Sequence, residues 1–136
     1  MFKRRLSIVG YVLIGVVLIA IGGTIALAAG DGVRVDLNAN GQSVELKRGQ
    51  VLTVALEASP GTGYGWEVVD LQGNVLQQVG EKDFKARSDL LGALGEEILR
   101  FKAAQSGEAT LNLVYHRSWE KDVEPLKTFT LQVTVR

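Results

Sequence analysis

The chain of 136 residues contains no cysteine and only one histidine, His116. Without cysteine there can be no thiol nucleophile, no disulfide, no thiolate metal site and no lipid-modified N-terminal cysteine. A single histidine excludes a histidine-rich metal centre. Acidic and basic residues balance at fifteen each, but Lys3, Arg4 and Arg5 precede a long apolar run and leave twelve basic against fifteen acidic residues elsewhere. A mildly acidic body makes nucleic acid a poor partner. Proline is scarce as well, with two in the chain. One of them, Pro60, stands in "ASPGTGYGWE" beside three glycines, Tyr64 and Trp66, which is more small-residue turn than a reversal needs.

Long uncharged stretches are confined to one place. Residues 7–30, "SIVGYVLIGVVLIAIGGTIALAAG", carry no charge and are long enough for a helix to cross a hydrocarbon layer of about 30 Å. The basic residues ahead of the run keep that end in the cytoplasm and deliver everything after Asp31 outside. Two readings stay open: an uncleaved anchor, favoured because the run exceeds the usual signal core of about 7–15 residues, or a cleavable signal ending at Ala26-Leu27-Ala28. The expected organisation is a membrane or signal segment over 1–30 and one domain over 31–136. About a hundred residues can be held together by an apolar core alone, and a monomeric soluble domain is expected.

Beyond residue 31 the apolar residues alternate, and turn residues bound short segments. "VLTVALE" sets Leu52, Val54 and Leu56 on one face; "ATLNLVYHR" sets Ala109, Leu111, Leu113 and Tyr115 on one; "TFTLQVTVR" does the same with Phe129, Leu131, Val133 and Val135. Weaker strands are expected at 33–37, 42–47, 65–71, 75–80 and 97–103. Phe84 and Phe101 read as core or strand-face residues. Seven to nine strands at this spacing predict an all-β fold, an antiparallel β-sandwich of immunoglobulin-like type.

Catalysis finds little support in the residue pattern. His116 with Ser59, Thr62 or Ser118 could be written as a triad, but nothing in the sequence joins them, and His116 reads as a strand-end residue. The carboxylate pairs Glu96/Glu97 and Asp122/Glu124 read as solvated faces. "GTGYGW" lacks the lysine of a phosphate loop and leads into a strand, whereas phosphate loops open a helix. No cofactor is expected. Binding through loops is the better reading, because alternate connections of such a sandwich gather at one end. "SPGTGYG", "LLGALGEE" and "HRSWEKD" stand out, and in a Greek-key order they are the second, fourth and sixth connections.

Those three loops resemble a known family. Ser59-Pro60-Gly61-Thr62-Gly63-Tyr64 is similar to the Asn-Pro-Thr-Thr-Gly-Tyr loop of the chagasin-type inhibitors of papain-family cysteine peptidases. Gly92-Ala93-Leu94-Gly95 resembles their Gly-X-Gly-Gly loop, and Arg117-Ser118-Trp119 their Arg-Pro-Trp loop. The resemblance covers residues 32–136. It implies a reversible inhibitor with no catalysis of its own. Its loops would wedge into the peptidase cleft, with Thr62 and Gly63 over the catalytic residues, Gly92 to Gly95 beside the non-primed subsites and Trp119 on the primed side. Departures from the pattern are Ser118 for proline and Gly61 for threonine, each costing about 0.4–1 kcal/mol of preorganisation. Leu94 replaces a glycine, which would cost about 1–2 kcal/mol if the position needs positive φ. An immunoglobulin-like envelope module that binds a protein or glycan without inhibiting is the alternative.

Overall fold

The computed structural model describes residues 24–25, 32–71, 73–89 and 94–136. Two β-sheets pack face to face. One is built from β1 (Thr24–Ile25), β3 (Ser43–Leu46), β10 (Lys127–Val135), β9 (Gly107–His116) and β5 (Gly65–Val69), in that spatial order. The other holds β2 (Gly32–Val35), β4 (Val51–Ala58), β8 (Gly95–Ala103) and β6 (Leu76–Gln78), with β7 (Asp83–Ala86) also paired to β8. Described helix is limited to single 3₁₀ turns at Leu37–Ala39 and Pro60–Thr62.

Alternation explains why these segments pair as they do. Leu52, Val54, Leu56 and Ala58 of β4 and Leu99, Phe101 and Ala103 of β8 face inward. They meet Ala109, Leu111, Leu113 and Tyr115 of β9 and Phe129, Leu131, Val133 and Val135 of β10, all buried. The faces expected from sequence are those observed. At roughly 25 cal/mol per Å² of apolar surface removed from water, this shared face is what holds the sheets together.

The structure corrects four expectations. The sheets are mixed: β2 runs parallel to β4, and β3 parallel to β10. Residues 36–50, which contain β3 in the opposite sheet, separate β2 from β4 and supply the long connection that a parallel pair requires. Secondly, β7 was not expected as a strand. Its four residues are all exposed, so no inward face marks it, and Phe84 lies on this strand at 41% exposure while Phe101 is fully buried. Thirdly, Glu97 is not on a solvated face. It is buried, continuing the inward row of Leu99, Phe101 and Ala103. Finally, the ten described strands (nine from Gly32 onward) make the proposed loops other than the second, fourth and sixth connections in a plain count. That numbering returns if β2–β3 is one strand that changes sheets and β6–β7 one edge strand interrupted at residues 79–82.

The segment expected to span the membrane lies outside the described residues except for Thr24 and Ile25, which pair in parallel with Ser43 and Val44. Among the described residues no helix is long and apolar enough to cross a membrane.

Glu97 joins the two sheets. Its Oε1 accepts the Trp66 N–H of β5 at 2.7 Å and lies 3.2 Å from Lys82 Nζ, which also donates to the Trp66 carbonyl at 2.8 Å. A buried carboxylate is tolerable only with such partners. Glu97→Ala is therefore expected to destabilise the fold by about 1–3 kcal/mol, seen as a lower urea midpoint with an unchanged m-value.

Candidate functional site

Strand register places the three loops at one end. Ala58, the last residue of β4, pairs with Gly95, the first of β8, and Gly95 also pairs with Ala86 at the end of β7. In the other sheet Gly65 pairs with His116, and Lys127 with Tyr115. The necks of loops 59–64, 87–94 and 117–126 thus share the same edge of the sandwich.

The first loop folds on itself. Pro60 opens the 3₁₀ turn, where its fixed φ suits and its missing N–H costs nothing. The Thr62 and Gly63 amides donate to the carbonyls of Ser59 and Pro60 at 3.0 Å each. The Thr62 hydroxyl donates to the Ser59 carbonyl at 2.6 Å and accepts the Tyr64 N–H at 3.3 Å. Gly63 closes the turn with φ +84°, a conformation that costs other residues about 1–2 kcal/mol. Gly61, exposed at the tip, adds no side chain.

An aromatic stack anchors this turn. Tyr64 and Tyr115 stack with ring centroids 5.4 Å apart, and Trp66 tilts against the same Tyr115 ring at 5.0 Å. The Tyr115 hydroxyl accepts the Ser59 N–H at 2.9 Å, and buried Trp66 donates from Nε1 to the Glu57 carbonyl at 3.1 Å. Tyr64 and Trp66 therefore root the loop.

Arg117 couples the third loop to the first. Its Nε donates to the Thr62 carbonyl at 3.0 Å, and its guanidinium lies 4.5 Å from the Tyr64 ring centroid and 6.0 Å from that of Trp119. Glu120 stands 3.7 Å from the same group. Trp119 is 65% exposed, yet the edge of its indole lies against Gly63. A Cβ on Gly63 would come within 2.3 Å of Trp119 Cη2. Positive φ favours glycine here, and the missing side chain leaves room for the ring to rest on the turn. Ser118 is exposed between these two anchors.

The neck of the second loop is tied to β4. Gly92 and Ala93 lie outside the described residues. Leu94 is 47% exposed, its carbonyl accepts the Arg87 N–H at 3.0 Å, and Arg87 pairs with Glu57 of β4 at 3.0 Å. Leu94 does not take the positive φ that would have strained it: among the described residues, the non-glycine residues with positive φ are Asp70 and Asp122. Gly95 is buried in β8, where a Cβ would lie 2.3 Å from the Lys85 carbonyl oxygen and 2.6 Å from the Phe84 ring. Its missing side chain serves strand packing rather than an exposed tip.

Sequence reasoning missed Glu97 and Lys82, although the inward period 97, 99, 101, 103 contained the signal for the first. The pair sits in a groove of about 710 Å³ between β5 and the β6–β7 edge, reaching Pro60, Gly63 and Ser118. By occupying the Trp66 amide and carbonyl they blunt the open edge of β5. His116 ends β9, with Nε2 2.6 Å from Glu67 Oε1, as a strand-end residue would.

Comparison with known proteins gives this loop-bearing sandwich its class. The profile described as chagasin family peptidase inhibitor I42 matches residues 45–133. The chain belongs to the chagasin family of peptidase inhibitors, and is accordingly an inhibitor by family, not an enzyme. It is 28% identical to amoebiasin-1 of Entamoeba histolytica, over 71% of this chain and 93% of that protein. In fold it is similar to the E. histolytica cysteine protease inhibitor EhICP2, with a TM-score of 0.67 and 22% identity over 77% of this chain and 96% of that one. It is also similar to PbICP-C, solved in complex with falcipain-2, with a TM-score of 0.52 and 17% identity over 83% and 97% of the two chains.

Two substitutions test the coupling. Tyr115→Phe orphans the Ser59 N–H while leaving the stack, and is expected to cost about 1 kcal/mol in chemical denaturation. Gly63→Ala is expected to expel the indole from its contact, read as a red-shifted, more readily quenched Trp119 emission with Trp66 still buried.

Proposed function

We propose that this protein reversibly inhibits papain-like cysteine peptidases by wedging the three loops into the active-site cleft. The observation that carries the reading is the junction of the first and third loops: Arg117 bonded to Thr62 and Trp119 resting on Gly63. A loop pair ordered before binding has less conformational entropy to lose on association. Family membership supports the inhibitory class. The cysteine-peptidase target is supported by EhICP2, described as a cysteine protease inhibitor, and by PbICP-C in its complex with falcipain-2.

In this wedge Ser59, Pro60, Gly61, Thr62 and Gly63 form the central tip, and nothing bulkier than the threonine side chain stands between the backbone and the target. A non-covalent contact of this kind blocks the cleft without offering a bond for cleavage. By the family resemblance Gly92, Ala93 and Leu94 would meet the non-primed side of the cleft and Trp119 the primed side, where an exposed indole that becomes desolvated is a natural anchor. Arg117 and Tyr64 act from beneath, as positioning residues, and Gly95 sets the neck of its loop. The preformed turn offsets part of the preorganisation expected to be lost through Gly61 and Ser118.

The sandwich is of immunoglobulin-like type, a reading supported by the seven-strand count that remains when β2–β3 and β6–β7 are each merged. Residues 7–30, with Lys3, Arg4 and Arg5 ahead of them, would direct this domain to the outer side of a membrane, as a single-pass anchor or an exported chain.

Titration of papain with the full chain in detergent tests the function. Stoichiometric, reversible loss of activity is expected at micromolar inhibitor or below. Retained activity against papain and a cathepsin-like peptidase would instead favour an envelope-binding module. Trp119→Ala is expected to weaken inhibition by about 2 kcal/mol, roughly thirtyfold, with an unchanged thermal midpoint.

A further inference from the structure

The third loop carries more apolar surface than its Arg-Ser-Trp motif accounts for. Among the described residues seven large apolar side chains are exposed, and the three most exposed all lie in the β9–β10 connection: Trp119 at 65%, Leu126 at 59% and Val123 at 58%. Single exposed apolar residues are ordinary, but their concentration in one loop marks a contact surface. The loop is also longer than its topological task demands, since adjacent antiparallel strands are commonly joined by about two to five residues and this connection occupies 117–126.

Backbone hydrogen bonds and one left-handed residue give it a defined course. The Glu120 amide donates to the Arg117 carbonyl at 3.0 Å, and Asp122 takes φ +58°, turning the chain between Trp119 and Val123. The Leu126 N–H donates to the Tyr115 carbonyl at 2.9 Å. Leu126 is therefore tied to the same residue that roots the first loop, and the charged residues Lys121, Asp122 and Glu124 interleave with the apolar ones. Apolar side chains within a polar rim are the usual anatomy of a protein interface.

We propose that Val123 and Leu126 form an extension of the peptidase-binding surface, meeting an apolar strip on the peptidase beside the cleft, on the side engaged by Trp119. The proposal rests on the inhibitor reading above. Continuity selects this occupant, because the two residues share a loop with Trp119 and an anchoring residue with the first loop. They would help to set which peptidases are bound tightly, since that surface lies outside the catalytic residues common to the target class.

The test compares full-length wild type, Val123→Ser/Leu126→Ser and Leu37→Ser in detergent, titrated against papain and a cathepsin-like peptidase. Leu37 is an exposed apolar control at 43%, outside the three loops. The double variant is expected to inhibit at least tenfold more weakly on one or both peptidases, with Leu37→Ser unchanged. If wild type inhibits neither peptidase, the inhibitor reading fails and takes this proposal with it. If wild type inhibits and the double variant matches it within twofold, this proposal alone is overturned. A double variant that only converts a dimer to a monomer on size exclusion, with inhibition unchanged, also overturns it and assigns the patch to a second copy of the chain. A photo-crosslinking residue at position 123 gives a readout that does not depend on the double variant folding: a crosslink to the peptidase is expected, and its absence in an inhibited complex overturns the proposal.

Discussion

The loop end depends on one aromatic side chain, Tyr115, reaching across the end of the sandwich. It belongs to β9, but its hydroxyl holds the Ser59 amide where the first loop leaves β4 in the opposite sheet. Its ring supports Tyr64 and Trp66, its carbonyl receives the Leu126 amide, and Lys127 Nζ lies 5.4 Å from its centroid. A buried tyrosine combines a large apolar area with one polar tip that must find a partner. Here that tip ties two sheets together while the ring carries a loop. Glu97 and Lys82 make a second, ionic tie close by, at Trp66.

From that base the site is assembled in order of decreasing burial. Trp66 is in the core, Tyr64 is half-buried, Arg117 lies across Tyr64, and Trp119 is mostly in solvent. Each layer restricts the next. A guanidinium between two rings, with Nε bonded to a carbonyl, uses its charge, plane and donor together, which lysine could not reproduce. The exposed ends of the first and third loops are consequently held against one another through Arg117 and Trp119.

Three loop residues have structural reasons other than those their motifs suggest. Gly63 was expected to leave bare backbone for a target; it also accommodates positive φ and the Trp119 edge. Gly95, expected in the second loop, is the first residue of β8, with the Phe84 ring against it. Leu94, which positive φ would have strained, does not adopt it.

Periodicity in β4, β9 and β10 determined the sandwich and its inward faces, because a buried face imposes a two-residue repeat that the sequence displays directly. The three motifs likewise displayed the loops, since turn chemistry is local. Neither kind of signal could show that Arg117 would bond Thr62, that Glu97 would meet Trp66, or that β2 would run parallel to β4 and β3 parallel to β10. Those pairings join residues far apart in sequence, and their geometry exists only after the sheets have packed. The two-residue period of β8 held the sign of a carboxylate on an inward face; only tertiary structure supplied the amide and the ammonium group that make its burial tolerable.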